Sequence, residues 1–150
     1  MKAHIEEFNT IGAAFVQPAS WIGNPKFKSL PPRKFAGLQT DMDKIIADFK
    51  KSGNDVSILN DRLALGLDEK GLAELANDKI LYVRLHSNDK RFEFDMPNGN
   101  EAGAYPNQWV PGGETKGGAK EIAVKGTEKI SHDNDINVLK SQFDDSEFIQ

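Results

Sequence analysis

The stretch KILYVRLHSNDKRFEFDM, residues 79–96, decides the fold class. The apolar residues before it have the spacing of a helix, whereas those within it alternate as in an extended strand. Two alternating runs flank a short polar connection, a pattern typical of two antiparallel strands joined as a hairpin. Side chains alternate across a strand, so Tyr82, Arg84 and His86 should share one face. The sequence therefore predicts a sheet in this half of the chain.

Helical patterns precede this stretch, within residues 38–77. The first begins near Thr40, which forms a variant capping box with Asp43, and it ends before Gly53. Its apolar residues fall on one helical face, and two shorter patterns of the same period follow. We expect all three helices to depend on tertiary packing, because none is long enough to be stable alone.

Residues 120–126, KEIAVKG, predict a further strand with Glu121 on the face opposite Ile122 and Val124. A final helix is predicted from about Asp133. The chain is thus predicted to be a single α+β domain, with N-terminal helices packed on a small antiparallel β-sheet, a long glycine-rich loop and a C-terminal helix. Its predicted parts are an irregular wrapping segment at 1–37, a helical part at 38–77, the sheet and glycine-rich loop at 79–126, and an acidic C-terminal helix or tail at 131–150.

Composition excludes several classes of function. The 150 residues suit one domain, and the absence of cysteine excludes disulfides, thiolate nucleophiles and thiolate zinc sites. No apolar run approaches the roughly 18 residues that span a membrane, and the first residues lack the apolar core of a signal peptide. We therefore expect no membrane-spanning segment and production in the cytoplasm.

The net charge of −4 comes from the C-terminal region, because residues 131–150 carry five acids and one base. Between Glu7 and Asp41 the chain has no acidic residue and four basic ones, interleaved with Trp21 and Phe27. A local basic segment with aromatic residues matters more to a polyanion than the total charge does. The charge pattern therefore leaves nucleic-acid binding open.

Several catalytic and metal-binding motifs are absent from the sequence. The glycine-rich residues 112–118 are followed by Ala119 and Lys120, without the Lys-Ser or Lys-Thr pair of a phosphate-binding loop. Residues 133–137 are similar to the start of a calcium loop, but Val138 stands where the sharp turn needs glycine. No serine-nucleophile motif is present, and the histidines are far apart in sequence. We therefore expect neither a metal nor a bound cofactor.

The polar residues of the predicted sheet suggest metal-independent cleavage of RNA. This reaction requires a base for the ribose hydroxyl, an acid for the leaving oxygen and a cation for the phosphate. We expect His86 to be the acid, Glu121 or Glu93 the base, and Arg84 the phosphate-binding cation. Thr115 is expected to donate a further hydrogen bond as a catalytic residue, and substrate contacts are expected from Lys116, Lys120, Trp109, Gly112 and Gly113. The competing interpretation is a solvated sheet face on which Arg84 and Glu93 form a cross-strand ion pair.

The segment MPNGNEAGAYPNQWVPGGETKGGAKEIAV, residues 96–124, resembles the carboxy-terminal toxic domains of bacterial polymorphic and contact-dependent growth-inhibition toxins. The shared features are an asparagine or glycine run, a tryptophan, PGG, a threonine, GG and a glutamate. The resemblance implies an effector domain that acts in the cytoplasm of a neighbouring bacterium, and that a cognate immunity protein neutralises in the producer. It implies functional roles for Thr115 and Glu121 only.

Three functions remain open from the sequence, of which the ribonuclease is the first. In the second, an NAD glycohydrolase or ADP-ribosyltransferase, the glycine-rich loop holds NAD as a substrate, Arg84 binds its phosphates and Glu121 stabilises the charge that develops on the ribose. In the third, a non-enzymatic immunity or inhibitor protein, Trp109 and Tyr105 are interface anchors. Expression in bacteria should arrest growth under the first two functions only.

Overall fold

The computed structural model describes residues 2–22, 26, 28–96, 109–110, 114–115 and 120–150, which form an α+β fold as the sequence predicts. The helices are α1 (Lys2–Ile11), α2 (Gln39–Lys51), α3 (Val56–Arg62), α4 (Glu69–Ala76) and α5 (Ile136–Ser141), with 3-10 turns at Ala19–Ile22 and Thr127–Lys129. The strands are β1 (Ala13–Pro18), β2 (Arg33–Leu38), β3 (Ile80–Leu85), β4 (Glu93–Asp95), β5 (Trp109–Val110), β6 (Glu114–Thr115), β7 (Glu121–Lys125) and β8 (Ser146–Phe148).

A six-stranded antiparallel sheet organises the described residues, in the order β4-β7-β2-β1-β3-β8. The strand β1 pairs with β3 along its whole length, from Ala13 opposite Leu85 to Pro18 opposite Ile80. The strands β2 and β7 pair over a similar length, with Gly37 opposite Glu121. The strands β5 and β6 form a separate two-stranded sheet. Two strands from the N-terminal part of the chain are therefore inner strands of the main sheet.

Helices cover both faces of this sheet. On one face α1 and α5 pack against alternate strand residues, with Phe8 and Leu139 fully buried beside Val83. On the other face α2, α3 and α4 pack around Tyr82 and Ile45, which are also fully buried. The inner strands β1 and β3 are apolar at nearly every position because each contributes side chains to both layers, as in other sheets with two covered faces.

The helix α2 forms where the sequence predicts it, and it buries the predicted apolar face: Met42, Ile45, Ile46 and Phe49. The predicted capping box is wrong, because Leu38 is the N-cap residue and makes no side-chain capping hydrogen bond. The carboxylate of Asp43 lies instead against the sheet, where it accepts a hydrogen bond from the hydroxyl of Tyr82. This helix therefore contributes a polar side chain as well as an apolar face to the region around β3.

The predicted hairpin within residues 79–96 is wrong. The strand β3 pairs with β1 and β8, whereas β4 pairs with β7 at the other edge of the sheet. Neighbouring runs of alternating residues do not identify their own partners, because any strand with a matching apolar face can complete the backbone hydrogen bonds. The connection after β3 is therefore a crossing between distant strands.

The prediction of an irregular wrapping segment over residues 1–37 is also wrong for most of its length. The segment contains α1, β1 and the first residues of β2. The run Ala13–Pro18 is buried at every position, so it shows no alternation of apolar and polar residues by which a strand could be recognised. Because the run is apolar on both faces, its sequence carries no local signal of a strand.

Candidate functional site

A cavity of about 350 Å³ opens between the residues that follow β3 and those that precede β8. Its walls include Arg84 and His86 from the end of β3, and Asp144 and Asp145 from the connection between α5 and β8. The cavity lies at the lower end of the volume range of small-molecule sites in proteins. It brings two of the predicted catalytic residues together.

His86 and Asp145 form a short contact in this cavity, with His86 Nε2 at 2.6 Å from Asp145 Oδ2. Partial burial acts to raise the pKa of Asp145, but hydrogen bonds from His86 and Arg84 outweigh it and hold that pKa below its usual value. An ionised carboxylate only accepts hydrogen bonds, so Nε2 of His86 carries the proton. In the neutral ring this leaves the lone pair on Nδ1 for a ligand, and half of the side chain is exposed.

Arg84 holds the other oxygen of Asp145, with NH1 at 3.0 Å from Oδ1. The Nε group of Arg84 donates to Asp43 Oδ1 at 2.9 Å, and the hydroxyl of Tyr82 donates to the same oxygen at 2.7 Å. Partial burial acts to lower the pKa of Arg84, but its bonds to the two aspartates raise it, so the guanidinium stays charged. Burial and the bond to Asp43 raise the pKa of Tyr82, which therefore remains a donor. A continuous chain of hydrogen bonds thus joins Tyr82 to His86.

Arg91 fixes the opposite wall of the cavity. Its guanidinium binds both carboxylate oxygens of Asp89, with NH2 at 2.8 Å from Oδ2, and NH1 donates to the carbonyl of Gln142 at 2.6 Å. The same group stacks over the rings of Phe92 and Phe143, at 5.0 and 5.5 Å from their centroids. Arg91 therefore ties the connection after β3 to the segment after α5.

The charges of the cavity lining are balanced. Three carboxylates, of Asp89, Asp144 and Asp145, face three cations, of Arg84, Lys90 and Arg91. Arg84 and Arg91 are held by carboxylates, whereas no partner for the exposed Lys90 is found among the described residues. Arg84 is thus engaged by two carboxylates, and its expected role as phosphate clamp stays a prediction. Lys90 is the cation that is available to an anionic ligand.

Glu121 does not approach His86 or Arg84. Residues Glu121, Gly37, Ala14 and Arg84 are paired successively across four strands, so they form one transverse row of the sheet. Three strand spacings separate the two ends of this row, about 14 Å at roughly 4.8 Å each. Met42 of α2 fills the space above Gly37, where an added Cβ would lie 2.6 Å from its side chain. Glu121 and Arg84 therefore share a face of the sheet, but the predicted convergence of Glu121 with Arg84 and His86 at one site is wrong.

Two further predicted residues, Glu93 and Lys120, lie with Glu121 toward the other edge of the sheet. Glu93 is opposite Lys125 on β7, so the expected ion pair between Glu93 and Arg84 is wrong. Lys120 Nζ lies 2.6 Å from Glu7 Oε1 of α1, and the carbonyl of Glu121 accepts a hydrogen bond from His4 Nε2. These contacts join the start of β7 to α1, where they stabilise the packing of the helix on the sheet.

The remaining predicted contacts belong to the glycine-rich loop. Trp109 is paired with Thr115 in the small β5-β6 sheet. The predicted substrate contacts of Gly112, Gly113 and Lys116 lie outside the described residues. Their assignment to a ligand stays a prediction.

Sequence reasoning missed Asp145 and Asp43, the two carboxylates that hold Arg84. Asp145 was assigned to an acidic tail because β8 has only three residues, too few for a recognisable alternation. The pairing of Tyr82 with Glu147 extends toward Arg84 and Asp145, where Arg84 N donates to the carbonyl of Asp145 at 2.9 Å. Only this register reveals the contact. Asp43 lies beside the buried face of α2 in the helical pattern. That position does not show whether its carboxylate caps the helix or contacts the sheet.

No helix in the described part of the chain has the length and apolar character needed to cross a membrane. Within the same residues, no group of three or more histidine, aspartate or glutamate side chains has the arrangement of a metal site. In comparisons with known proteins, the chain matches no protein family, no curated protein and no solved structure.

Proposed function

We propose that this chain is a bacterial effector domain that cleaves RNA without a metal ion, in the cavity beside His86. The contact of 2.6 Å between His86 and Asp145 carries the proposal. A histidine whose one nitrogen is fixed by a carboxylate presents its other nitrogen in a defined position, which is the arrangement that general acid–base catalysis requires. The resemblance of residues 96–124 to toxin domains supports the choice of an effector.

In the proposed reaction His86 acts as the base, whereas the sequence alone had favoured it as the acid. Its Nδ1 removes the proton of a ribose 2′-hydroxyl, and the resulting oxygen attacks the neighbouring phosphorus. The bond from phosphorus to the 5′-oxygen of the next nucleotide breaks, and water in the open cavity supplies the proton for that oxygen. The hydroxide that remains takes the first proton back from His86, which restores the neutral base. The products are a 2′,3′-cyclic phosphate and a 5′-hydroxyl end. Asp145 stabilises the imidazolium that forms, because its carboxylate remains ionised.

Lys90 is the proposed contact for the phosphate of the substrate. It lines the cavity near His86, and it is exposed at the end of a polar turn. A flexible ammonium group can follow the phosphate as negative charge builds up on it. Because the rest of the lining is balanced in charge, we expect modest affinity for RNA and a strong dependence on salt.

The proposal is tested by expressing the chain in bacteria and by incubating the purified protein with total RNA. We expect growth arrest, and RNA fragments that end in a cyclic phosphate. His86→Ala and Asp145→Asn should each reduce cleavage by at least about 10²-fold, because they remove the base and its carboxylate partner. Glu121→Gln is the matched control, because it alters a carboxylate that the structure places three strand spacings from Arg84.

Each outcome bears on a different function. Full activity of the His86→Ala protein would refute the proposed site. Growth arrest with intact RNA and consumed NAD would favour the NAD-directed enzyme over the ribonuclease. No contact between the described residues favours that alternative. Harmless expression would leave the immunity or inhibitor protein as the remaining alternative.

A further inference from the structure

We infer that Asp43, on the helix α2, is a positioning residue for His86 and acts on it through Arg84 and Asp145. This inference rests on the proposed function, since it concerns the histidine of the same cavity. Asp43 does not itself line the cavity, and its hydrogen bonds go to Tyr82 and to the wall residue Arg84. Its influence passes through two intervening side chains.

The geometry of the chain of contacts supports the inference. One oxygen of Asp43 accepts from both Tyr82 OH, at 2.7 Å, and Arg84 Nε, at 2.9 Å. The guanidinium plane of Arg84 is fixed by this bond and by its position over the Tyr82 ring, 4.9 Å from the centroid. Arg84 NH1 then reaches Asp145 Oδ1 at 3.0 Å, which leaves Asp145 Oδ2 directed to His86.

The members of this chain come from three separate parts of the fold, so the helix sets the position of the histidine. Tyr82 and Arg84 belong to β3, Asp43 belongs to α2, and Asp145 precedes the edge strand β8. An arginine has rotatable bonds along its whole side chain, and a bond at Nε restricts the orientation of its planar fork. Without Asp43, Arg84 would still attract Asp145 but would not fix its orientation.

The helix α2 also supplies a matched control. Asp48 lies on the same helix, forms a bond of 3.1 Å with Arg62, and has a side chain that is 43% exposed. Asp43 bonds an arginine at 2.9 Å with a side chain that is 41% exposed. Alanine at either position removes a surface carboxylate and one ion pair. Only the Asp43 ion pair leads to His86.

The experiment compares Asp43→Ala with Asp48→Ala in the full chain. We expect Asp43→Ala to lower kcat for RNA cleavage by about 10- to 100-fold with little change in KM, because a misplaced base affects the chemical step more than binding. Asp48→Ala should stay within about 3-fold of the parent, because its ion pair is remote from the cavity. The variant Asp43→Glu, which keeps a carboxylate, should retain more activity than Asp43→Ala.

The double variant Asp43→Ala/Tyr82→Phe protects the test against loss of fold. Tyr82 is fully buried, and its hydroxyl would be left without its acceptor in Asp43→Ala. Phenylalanine removes that hydroxyl while it keeps the ring under Arg84. If the double variant folds and still shows the loss of kcat, the effect belongs to the positioning of Arg84.

An NMR measurement tests the inference independently of activity. In the parent, the ring proton on Nε2 of His86 should be observable at low temperature, because its hydrogen bond to Asp145 slows exchange with water. The signal should be lost in Asp43→Ala and kept in Asp48→Ala. Identical spectra and identical kcat values for the two variants would overturn the inference, and so would the absence of the signal from the parent. If the parent does not cleave RNA, the proposed function fails and the spectra alone decide the role of Asp43.

Discussion

The ammonium group of Lys34 donates a hydrogen bond of 3.0 Å to the side-chain oxygen of Gln17, inside the layer formed by α1 and α5. Gln17 is buried, and the ring of Phe15 lies 4.8 Å below the ammonium group. Burial lowers the pKa of Lys34 to about 8. A neutral amide is a weaker partner for a buried cation than a carboxylate would be, so this lysine makes the fold sensitive to pH.

The first prediction concerns stability at alkaline pH. The unfolded chain holds the Lys34 proton up to pH 10.4 or so, whereas the folded chain loses it near pH 8. The free energy of unfolding should therefore rise with pH above 8. Relative to Lys34→Met, we expect the parent to gain about 1–2 kcal/mol between pH 7 and 9.5, measured by urea unfolding. Lys44→Met, at an exposed position of α2, should follow the parent, and parallel curves for all three proteins would contradict the prediction.

The second prediction concerns stability in mild acid. His132 is 3% exposed, and its Nδ1 accepts a hydrogen bond of 2.9 Å from the backbone N–H of Asn134. Burial lowers the pKa of His132 despite opposing contributions from Ser29 and Asp133. The unfolded chain therefore takes up a proton first as the pH falls below about 6.5, and the stability contribution of the neutral histidine is lost there.

We expect the free energy of unfolding to fall less between pH 7.5 and 5.5 in His132→Gln than in the parent. The difference should be about 1.4 kcal/mol for each pH unit by which the fold lowers the pKa of His132. The comparison uses the midpoints of urea unfolding at the two pH values. His4→Gln is the control, since His4 lies at the surface of α1 and is only partly buried. A profile of His132→Gln as steep as that of the parent would show that other groups cause the acid sensitivity.

The third prediction concerns Gly126, which follows β7. Its φ of +95° belongs to the left-handed region, and an added Cβ would lie 2.3 Å from the carbonyl oxygen of Arg91. Gly126→Ala should lower the free energy of unfolding by about 2–4 kcal/mol, because both backbone strain and a clash are introduced. Gly53→Ala is the control, since Gly53 has a φ of +78° and open space around it. It should cost only about 1 kcal/mol. Equal losses would show that the close approach of Arg91 does not matter.

The fourth prediction concerns the proposed contact of Lys90 with the phosphate of RNA. Lys90→Met should raise KM for RNA with little effect on kcat, and should reduce the slope of log affinity against log salt concentration by about one phosphate contact. Lys129→Met, at an exposed lysine of the 3-10 turn Thr127–Lys129, serves as the charge-matched control. An unchanged salt dependence in Lys90→Met would remove Lys90 from the phosphate contact.

The helices could be predicted largely from the sequence, whereas the pairing of the strands could not. The boundaries of α2 follow from a helical spacing of apolar residues and a glycine shortly after its end, both of which are local signals. The two runs within residues 79–96 have the correct alternation, but they pair with strands that lie far away in the sequence. The backbone hydrogen bonds of a strand are made with its neighbours in the sheet, and its own residues do not predict which strands those are.

For the candidate site, the sequence supplied Arg84 and His86, since their alternation with Tyr82 indicates one face of a strand. The sequence could not predict that Asp145 belongs to the site, because this depends on the pairing of β8 with β3. Nor could it predict that Glu121 lies away from Arg84 and His86. The residue types indicate acid–base chemistry, which stays a hypothesis. Their membership in one site depended on distances that no local pattern encodes.

The sequence by itself determined the α+β class, the approximate positions of α2 to α5 and the alternation of residues along β3, because these depend on contacts within a few residues. Only the tertiary structure decided that two N-terminal strands lie between β3 and β7, and that His86 therefore pairs with Asp145 instead of Glu121. The physical reason is that sheet pairing and helix packing minimise exposed apolar surface over the whole chain. The pairing therefore depends on segments that are far apart in sequence. The contact between α1 and β7, for example, joins residues more than a hundred positions apart.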